Sequence, residues 1–322
     1  MSLYLALDFG GTKLAAGLVE AATGAVLARV RRPSPGDAWR SIEEMVDMAR
    51  QALAEGRRAR SDVAGVGVSF GGPVDEARQR VRLSHHVPGW ENLPLVQEVS
   101  RALALPTAMD NDANVQALGE WRFGAGRGVA DLLFVNVGTG IGGGVIVGGR
   151  LHRGRHGLAG EVGHTVVKPD GPPCTCGKRG CVESLAAGPG IARAARDALR
   201  ESGRGGKLRA LAGGDPAAVT GELVFRAAAD GDELALAALA DACRYLGIGI
   251  ANAAAIVDPE LIVVGGGVAK AGELFFGPLR EAARAHAAPL DREMLRIVPG
   301  ALGDDANILG AAALAEQENR RT

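Results

Sequence analysis

The chain has 322 residues, with 36 lysines and arginines against 37 aspartates and glutamates, giving a formal charge of −1. That balance, the lack of any basic run and an aromatic content of 4% argue against a nucleic-acid or membrane-surface partner. Hydrophobic content of 47% is ample for the cores of two ordinary domains, and no low-complexity stretch points to disorder.

The opening MSLYLALDFGGTK reaches an aspartate and two glycines at once, without the cationic start and apolar core of a signal peptide. No stretch of about eighteen apolar residues runs free of glycine and charge. A soluble, cytoplasmic protein is expected.

In chain order, LYLALD, KLAAGLV and AVLARV are expected to be three strands, broken by Gly10-Gly11 and Thr23-Gly24. Asp37 to Glu55 has helical spacing, with Trp39, Ile42, Val46, Ala49 and Leu53 on one face. VAGVGVSF is a further strand ending in GGP. A polar segment with His85, His86 and Trp90 follows, then a helix from about Pro94, a proline suited to a helix start. PTAMD reads as a short strand running into NDANVQALGEW, a helix.

DLLFVNVGTGIGGGVIVGG then repeats the strand, glycine turn and strand of LALDFGGTKLAAGLV, which suggests a duplicated domain. ESGRGGKLRALAGGDPAA is expected to be a surface connection. A long helix from Glu233 to about Val257 precedes PELIVVGGGVA, a strand ending in glycines, and a last helix runs near Asp305 to Glu316. Alternating strands and helices predict an α/β architecture with two related lobes.

Three of the four cysteines fall within eight residues, Cys174, Cys176 and Cys181, after His164. A disulfide framework is improbable in a cytoplasmic chain. One imidazole and three sulfurs form the ligand set of a closed tetrahedral zinc site, and KPDGPPCTCGKRGC has the glycines and prolines to wrap an ion. Four protein ligands leave no open position, so the metal would be structural, worth on the order of 10 kcal/mol of local ordering. A redox pair or chance clustering is the alternative. Cys243, alone on a helix, is expected to be an inert core residue.

Glu161 stands three residues before His164, and Glu183 two after Cys181. Fixing the ligands fixes both carboxylates, and rigid paired acceptors suit a ligand with several hydroxyls, such as a sugar. Without that, they are two surface acids.

DFGGTK, Asp8 to Lys13, sits in a hairpin turn. Its glycines would let backbone N–H groups approach a phosphate, Thr12 adds a hydroxyl, and Asp8 is placed to hold magnesium through water. A plain hairpin turn is the simpler reading. GTGIGGG from Gly138 and VVGGGVA from Val263 repeat the device, so nucleotide phosphate binding is expected. None has P-loop spacing. MDNDANVQALGEW offers Asp110, Asn111, Asp112 and Asn114 at a strand-to-helix junction, where Asp and Asn are also ordinary caps. The functional alternative has an aspartate taking a proton from a sugar hydroxyl during phosphoryl transfer. Its ordinary pKa of about 3.9 suffices if the transition state is loose.

Taken together, LDFGGTK, DNDAN, GTGIGGG, GLAGEVGH and CTCGKRGCVES resemble, in order and spacing, the ROK family of repressors, open reading frames and sugar kinases. The resemblance covers nearly the whole chain. It implies an actin-like, hexokinase-like ATPase fold of duplicated ribonuclease-H-like domains. The N-terminal lobe would span 1–120 plus about 304–322, and the C-terminal lobe 121–303 with the zinc loop 164–181. It implies Asp112 as catalytic base and Asn111 as a sugar ligand. Glu161, His164 and Glu183 would contact the sugar, with the other ring nitrogen of His164 on zinc. Gly10, Gly11, Thr12, Lys13, Gly138, Thr139 and Gly140 would line the ATP phosphates, with Asp8 at the magnesium and Gly266 near the nucleoside. Magnesium and a homodimer or homotetramer are also implied.

One departure stands out: SFGGPVD carries Phe70 and Gly71 where many members have a small residue and proline, in the loop whose Gly72 would flank the sugar. AGEVGH resembles the glucokinase and amino-sugar kinase branches. The leading expectation is an ATP-dependent hexose kinase acting on the 6-hydroxyl of glucose, with N-acetylglucosamine or N-acetylmannosamine kinase as the near alternative. A sugar-responsive repressor is disfavoured, since only seven residues precede Asp8 and no winged helix-turn-helix is seen. A sugar-binding scaffold without turnover is disfavoured by Asp112 and Lys13.

Overall fold

The computed structural model describes residues 2–75, 77, 79–84, 87–202, 205–288 and 292–320; His85 and His86 lie outside them. The chain divides into two compact units, one of residues 1–128, 150–159 and 301–322, the other of 129–149 and 160–300.

In the first unit, β1 (Leu3–Phe9), β2 (Lys13–Glu20) and β3 (Ala25–Pro33) form an antiparallel meander. Beyond β1 lie β4 (Val63–Phe70) and β5 (Thr107–Asn111), both parallel to it, in the order β3-β2-β1-β4-β5. β1 and β4 are almost wholly buried, as their near-continuous apolar runs require. The register sets Asp8 beside Ser69 and Ser69 beside Asp110, so three polar side chains share one level near the carboxyl ends of adjacent strands. Ligands of open α/β sheets collect at such ends.

Helix α1 (Ala38–Glu55) starts at Asp37, whose side chain accepts from the Arg40 N–H, and buries Ile42, Val46, Ala49 and Leu53. Trp39 does not join them: it is 53% exposed, and Ala38 takes the first buried position. At 100° per residue the buried stripe runs from Met48 round to Val46, and Trp39 falls just past its edge. α2 (Leu95–Leu103) follows Pro94, and α3 (Asp112–Phe123) follows β5 directly. The C-terminal helix Ala306–Asn319 packs on both α3 and β4. Glycine makes those approaches possible: a Cβ on Gly310 would meet the Val115 carbonyl at 1.8 Å, and one on Gly67 the Ala311 carbonyl at 1.7 Å. Buried Glu120 on α3 accepts from the N–H groups of Ala125, Ala301 and Leu302, at 2.9, 3.0 and 2.9 Å.

The second unit repeats the pattern. β6 (Leu132–Val137) and β7 (Ile141–Val147) form a hairpin, with parallel β8 (Leu261–Gly265) on the other side of β6 and β9 (Ile297–Pro299) beyond it. Helices α4 (Val182–Ala186), α5 (Gly188–Glu201), α6 (Gly206–Leu211), α7 (Gly221–Ala229), α8 (Glu233–Val257) and α9 (Glu273–His286) complete it. The segment expected to be a plain surface connection holds α6 and buries Leu208 completely. It is anchored by Asp232, the α8 cap, which accepts from the N–H groups of Lys207 and Leu208 as well as Leu234 and Ala235. By length and apolar composition α8 would suit a membrane span, but 67% of its most apolar window is buried against its own unit. Cys243 on α8 is fully buried, and burial pushes its thiol up to about 12, as an inert core residue should behave.

Candidate functional site

In the first unit, the chain leaves β1 through Gly10, whose N–H donates to the Lys13 carbonyl at 3.1 Å. A Cβ at Gly10 would stand 2.9 Å from that same oxygen, so the tight turn needs glycine here. Thr12 and Lys13 are exposed. Asp8, half-buried, receives the Asn307 amide at 3.1 Å. Burial raises its carboxyl above the ordinary value, and Ser69, Asn307 and Arg31 offset part of that rise. A half-buried carboxylate beside a glycine turn is a hard oxygen donor that fits a magnesium ion.

Gly71 follows β4 and donates its N–H to the Phe9 carbonyl at 3.0 Å; Gly72 donates to the Phe70 carbonyl at 2.9 Å. Phe70 itself points into the core. It is 2% exposed and meets Trp90 edge-on, with ring centroids 4.9 Å apart, while Trp90 meets Phe9 at 5.6 Å. The departure noted in SFGGP is thus absorbed by an aromatic cluster.

At the β5–α3 junction the capping reading holds, and Asn111 carries it. Asn111 caps α3, its side-chain oxygen accepting from the Asn114 N–H at 2.8 Å. That leaves the Asn111 amide NH2 as a donor. Asp112, half-buried in the first turn, accepts from the Ala113 N–H at 2.9 Å through one oxygen. Asp110 is buried and faces Arg153, whose Nε lies 2.5 Å from Oδ2.

In the second unit, the Gly138 N–H donates to the Gly140 carbonyl at 2.9 Å, closing the β6–β7 turn and leaving Thr139 exposed. Gly266 follows β8 with φ +89, and a Cβ there would meet the Val137 carbonyl at 2.3 Å. A pocket of about 1080 Å³ is lined by Gly138, Thr139, Phe225, Gly267 and Leu274 among others. A lining that joins Thr139 and Gly267 with apolar Phe225 and Leu274 suits a ligand with phosphates and a flat apolar part. Gly188 and Pro189 also line it, with the Gly188 N–H on the Gly138 carbonyl at 2.9 Å. Sequence reading missed these residues, although GPG opening a helix was a visible signal.

The cysteine hairpin folds as a closed cluster. His164, Cys174, Cys176 and Cys181 each offer an atom within 4.8 Å of all the others. Cys176 Sγ lies 3.7 Å from Cys181 Sγ, and Cys174 Sγ lies 3.6 Å from His164 Nδ1. Tetrahedral zinc, with bonds of about 2.3 Å to sulfur and about 2.0–2.1 Å to nitrogen, would set these edges at about 3.8 and 3.6 Å. The donor set fits zinc in chemistry, and these two edges fit it in length. Burial first, then the neighbouring sulfurs, pushes the Cys181 thiol up to about 12. The Cys176 thiol is lowered, chiefly by the Lys178 N–H. Gly180, at φ +67, lets the hairpin close: a Cβ there would overlap the Lys168 carbonyl at 1.5 Å.

His164 Nδ1 meets Cys174 Sγ, and Nε2 lies 3.9 Å from Glu161 Oε2. Glu161 is exposed. Glu183 is held: Oε2 accepts from the Ile141 N–H at 2.9 Å and Oε1 from the Thr175 hydroxyl at 3.2 Å. His164, Glu161 and Glu183 are therefore all tied to the cysteine hairpin within this unit.

The glucokinase of Streptomyces coelicolor is 34% identical to this chain over 319 residues, covering 98% of each. The N-acetylmannosamine kinase of Escherichia coli is 35% identical over 315 residues, again 98% of each. Among solved structures, a ROK family glucokinase from Streptomyces griseus, in complex with glucose and AMPPNP, superposes with a TM-score of 0.83 at 36% identity. That alignment covers 98% of this chain and 100% of the other. The ROK family pattern itself matches residues 4–318, nearly the whole length. The chain belongs to the ROK family.

Proposed function

We propose that the protein is an ATP-dependent hexose kinase that phosphorylates the 6-hydroxyl of glucose. The observation that carries this reading is the full-length likeness to a ROK glucokinase in complex with glucose and AMPPNP. N-acetylmannosamine kinase is the second reading, favoured by a relative of that name at similar identity; N-acetylglucosamine is the related amino-sugar substrate.

In this account Asp112 takes the proton of the attacking hydroxyl. A carboxylate is a weak base for an alcohol, but in a loose phosphoryl transfer the proton leaves late and placement matters more than basicity. Asn111 donates its free NH2 to a sugar oxygen, and Gly72 flanks the ring. Glu161 and Glu183 accept from sugar hydroxyls, and His164 uses Nε2. His164 would hold zinc through Nδ1, which would leave its ring proton on Nε2 as a donor to the sugar.

The ATP phosphates follow Gly10, Gly11, Thr12 and Lys13 in the first unit and Gly138, Thr139 and Gly140 in the second. The nucleoside lies in the pocket beside Gly266. Magnesium, when bound with ATP, would neutralise phosphate charge, and Asp8 would hold it. Zinc would be purely structural, held by His164, Cys174, Cys176 and Cys181. We take the two units as the duplicated domains, with 121–128, 150–159 and 301–303 in the first where the expected bounds, 1–120 with 304–322 and 121–303, had them in the second, and infer a cytoplasmic homodimer or homotetramer.

The test is Asp112→Asn. Turnover should fall by about 10²–10⁴, the range for a positioned general base, while glucose still binds by calorimetry. Near-normal turnover in this variant would refute the assignment of the base.

A further inference from the structure

Asp110 is the most deeply buried carboxylate of the MDNDAN stretch, 2% exposed. It sits two residues before Asp112, at the end of β5. Its Oδ1 accepts from the Asn111 N–H at 2.8 Å and from the Asn114 side-chain amide at 2.8 Å. Asn111 in turn accepts from the Asn114 N–H. These three bonds close a small cage around the turn on which Asp112 stands.

The remaining oxygen of Asp110 belongs to Arg153. Nε of Arg153 lies 2.5 Å from Oδ2, and Nη2 lies 3.6 Å from Glu318 on the C-terminal helix. The Arg153 side chain is 12% exposed. Its loop is closed on itself, since its carbonyl accepts from the Ala159 N–H at 3.1 Å. A guanidinium held by two carboxylates through different nitrogens cannot swing, and it fixes the rotamer of Asp110. A lysine, with one compact ammonium, would reach one of the two.

We propose that Arg153, through its ion pair with Asp110, is a positioning residue that sets the turn bearing Asn111 and Asp112. The proposal rests on the reading of Asp112 as the base. A catalytic group displaced by about 1 Å can lose about 10² in rate, so loss of the clamp falls on kcat. The ATP phosphates are assigned to other turns, so KM for ATP should hardly move.

A buried pair also contributes to folding, so the test must separate the two roles. Arg153→Met alone strands a buried carboxylate and lowers stability. Asp110→Asn/Arg153→Met removes both charges, so its melting temperature should return close to that of the parent protein. We expect this double variant, fully folded, to keep kcat down by about tenfold to a hundredfold with KM for ATP within about threefold. Arg153→Lys should fall between it and the parent. Recovery of kcat together with melting temperature in the double variant would overturn the proposal and leave the pair purely structural. A parallel Asp112→Asn measurement keeps the two claims apart: retained turnover there would sink the base assignment, whatever Arg153 does.

Discussion

Glu183 Oε2 lies 2.9 Å from the backbone nitrogen of Ile141, and the same oxygen lies where a Cβ on Gly140 would come within 2.8 Å. The carboxylate leaves the cysteine hairpin and braces the Gly138–Ile141 turn, with Thr175 on its other oxygen. Gly140→Ala would push the carboxylate off the Ile141 N–H. The expected result is weaker AMPPNP binding by about tenfold, the worth of one charge-assisted hydrogen bond, with the zinc content unchanged. Titration calorimetry of the folded variant measures it, and an unaltered affinity would remove Glu183 from the nucleotide side of the account.

Metal analysis should find about one zinc per chain, and Cys176→Ser should lose most of it. Glucose affinity should then drop by about tenfold or more, because Glu161, His164 and Glu183 all depend on the hairpin. A metal-free protein with full sugar affinity would contradict the zinc assignment.

Asp232 gives a pH-dependent prediction. Burial alone would raise its carboxyl, but the N–H groups of Ala235, Leu208, Leu234 and Lys207 together outweigh it and hold the group below its ordinary value of 3.8. A depressed value means the contribution is present above the unfolded pKa and lost as pH falls through the folded one. Asp232→Ala should cost about 2–4 kcal/mol at pH 7, by leaving those donors unsatisfied. In acid denaturation its penalty should shrink below about pH 4, as Asp232 itself becomes protonated in the parent protein.

Asp8 has the opposite sign. Its raised carboxyl favours the protonated form in the fold, so its contribution is present below the unfolded value and lost as pH rises through the folded one. At neutral pH the charge there is a cost. Without magnesium, Asp8→Asn should raise the melting temperature at pH 7 by about 2 °C or more, while turnover with magnesium-ATP collapses. A lower melting temperature would show that the charged form is the favoured one.

How far the sequence predicted this structure depends on how local each feature is. The hairpins around Gly10 and Gly138 and the β5–α3 junction could be read because period and turn chemistry agree within a few residues. The cysteine hairpin could be read because its donors cluster in sequence. The Arg153–Asp110 pair joins residues 43 apart, and Glu120 meets Leu302 across 182 residues, so neither leaves a mark on any short window. Trp39 shows the other limit: spacing placed it near a buried stripe, but packing set the stripe's edge one position away. Acids whose burial is completed by distant partners, Asp110 by Arg153 and Asp232 by the N–H groups of Lys207 and Leu208, look in sequence like ordinary helix caps.

Phosphoryl transfer from ATP to a hexose is measured by a coupled ATP-consumption assay across hexoses and N-acetylhexosamines. Glucose should turn over ahead of the panel, with one ADP per sugar phosphorylated and a product bearing phosphate on its 6-oxygen. A folded, zinc-loaded protein that consumes no ATP with any sugar in the panel would contradict this function.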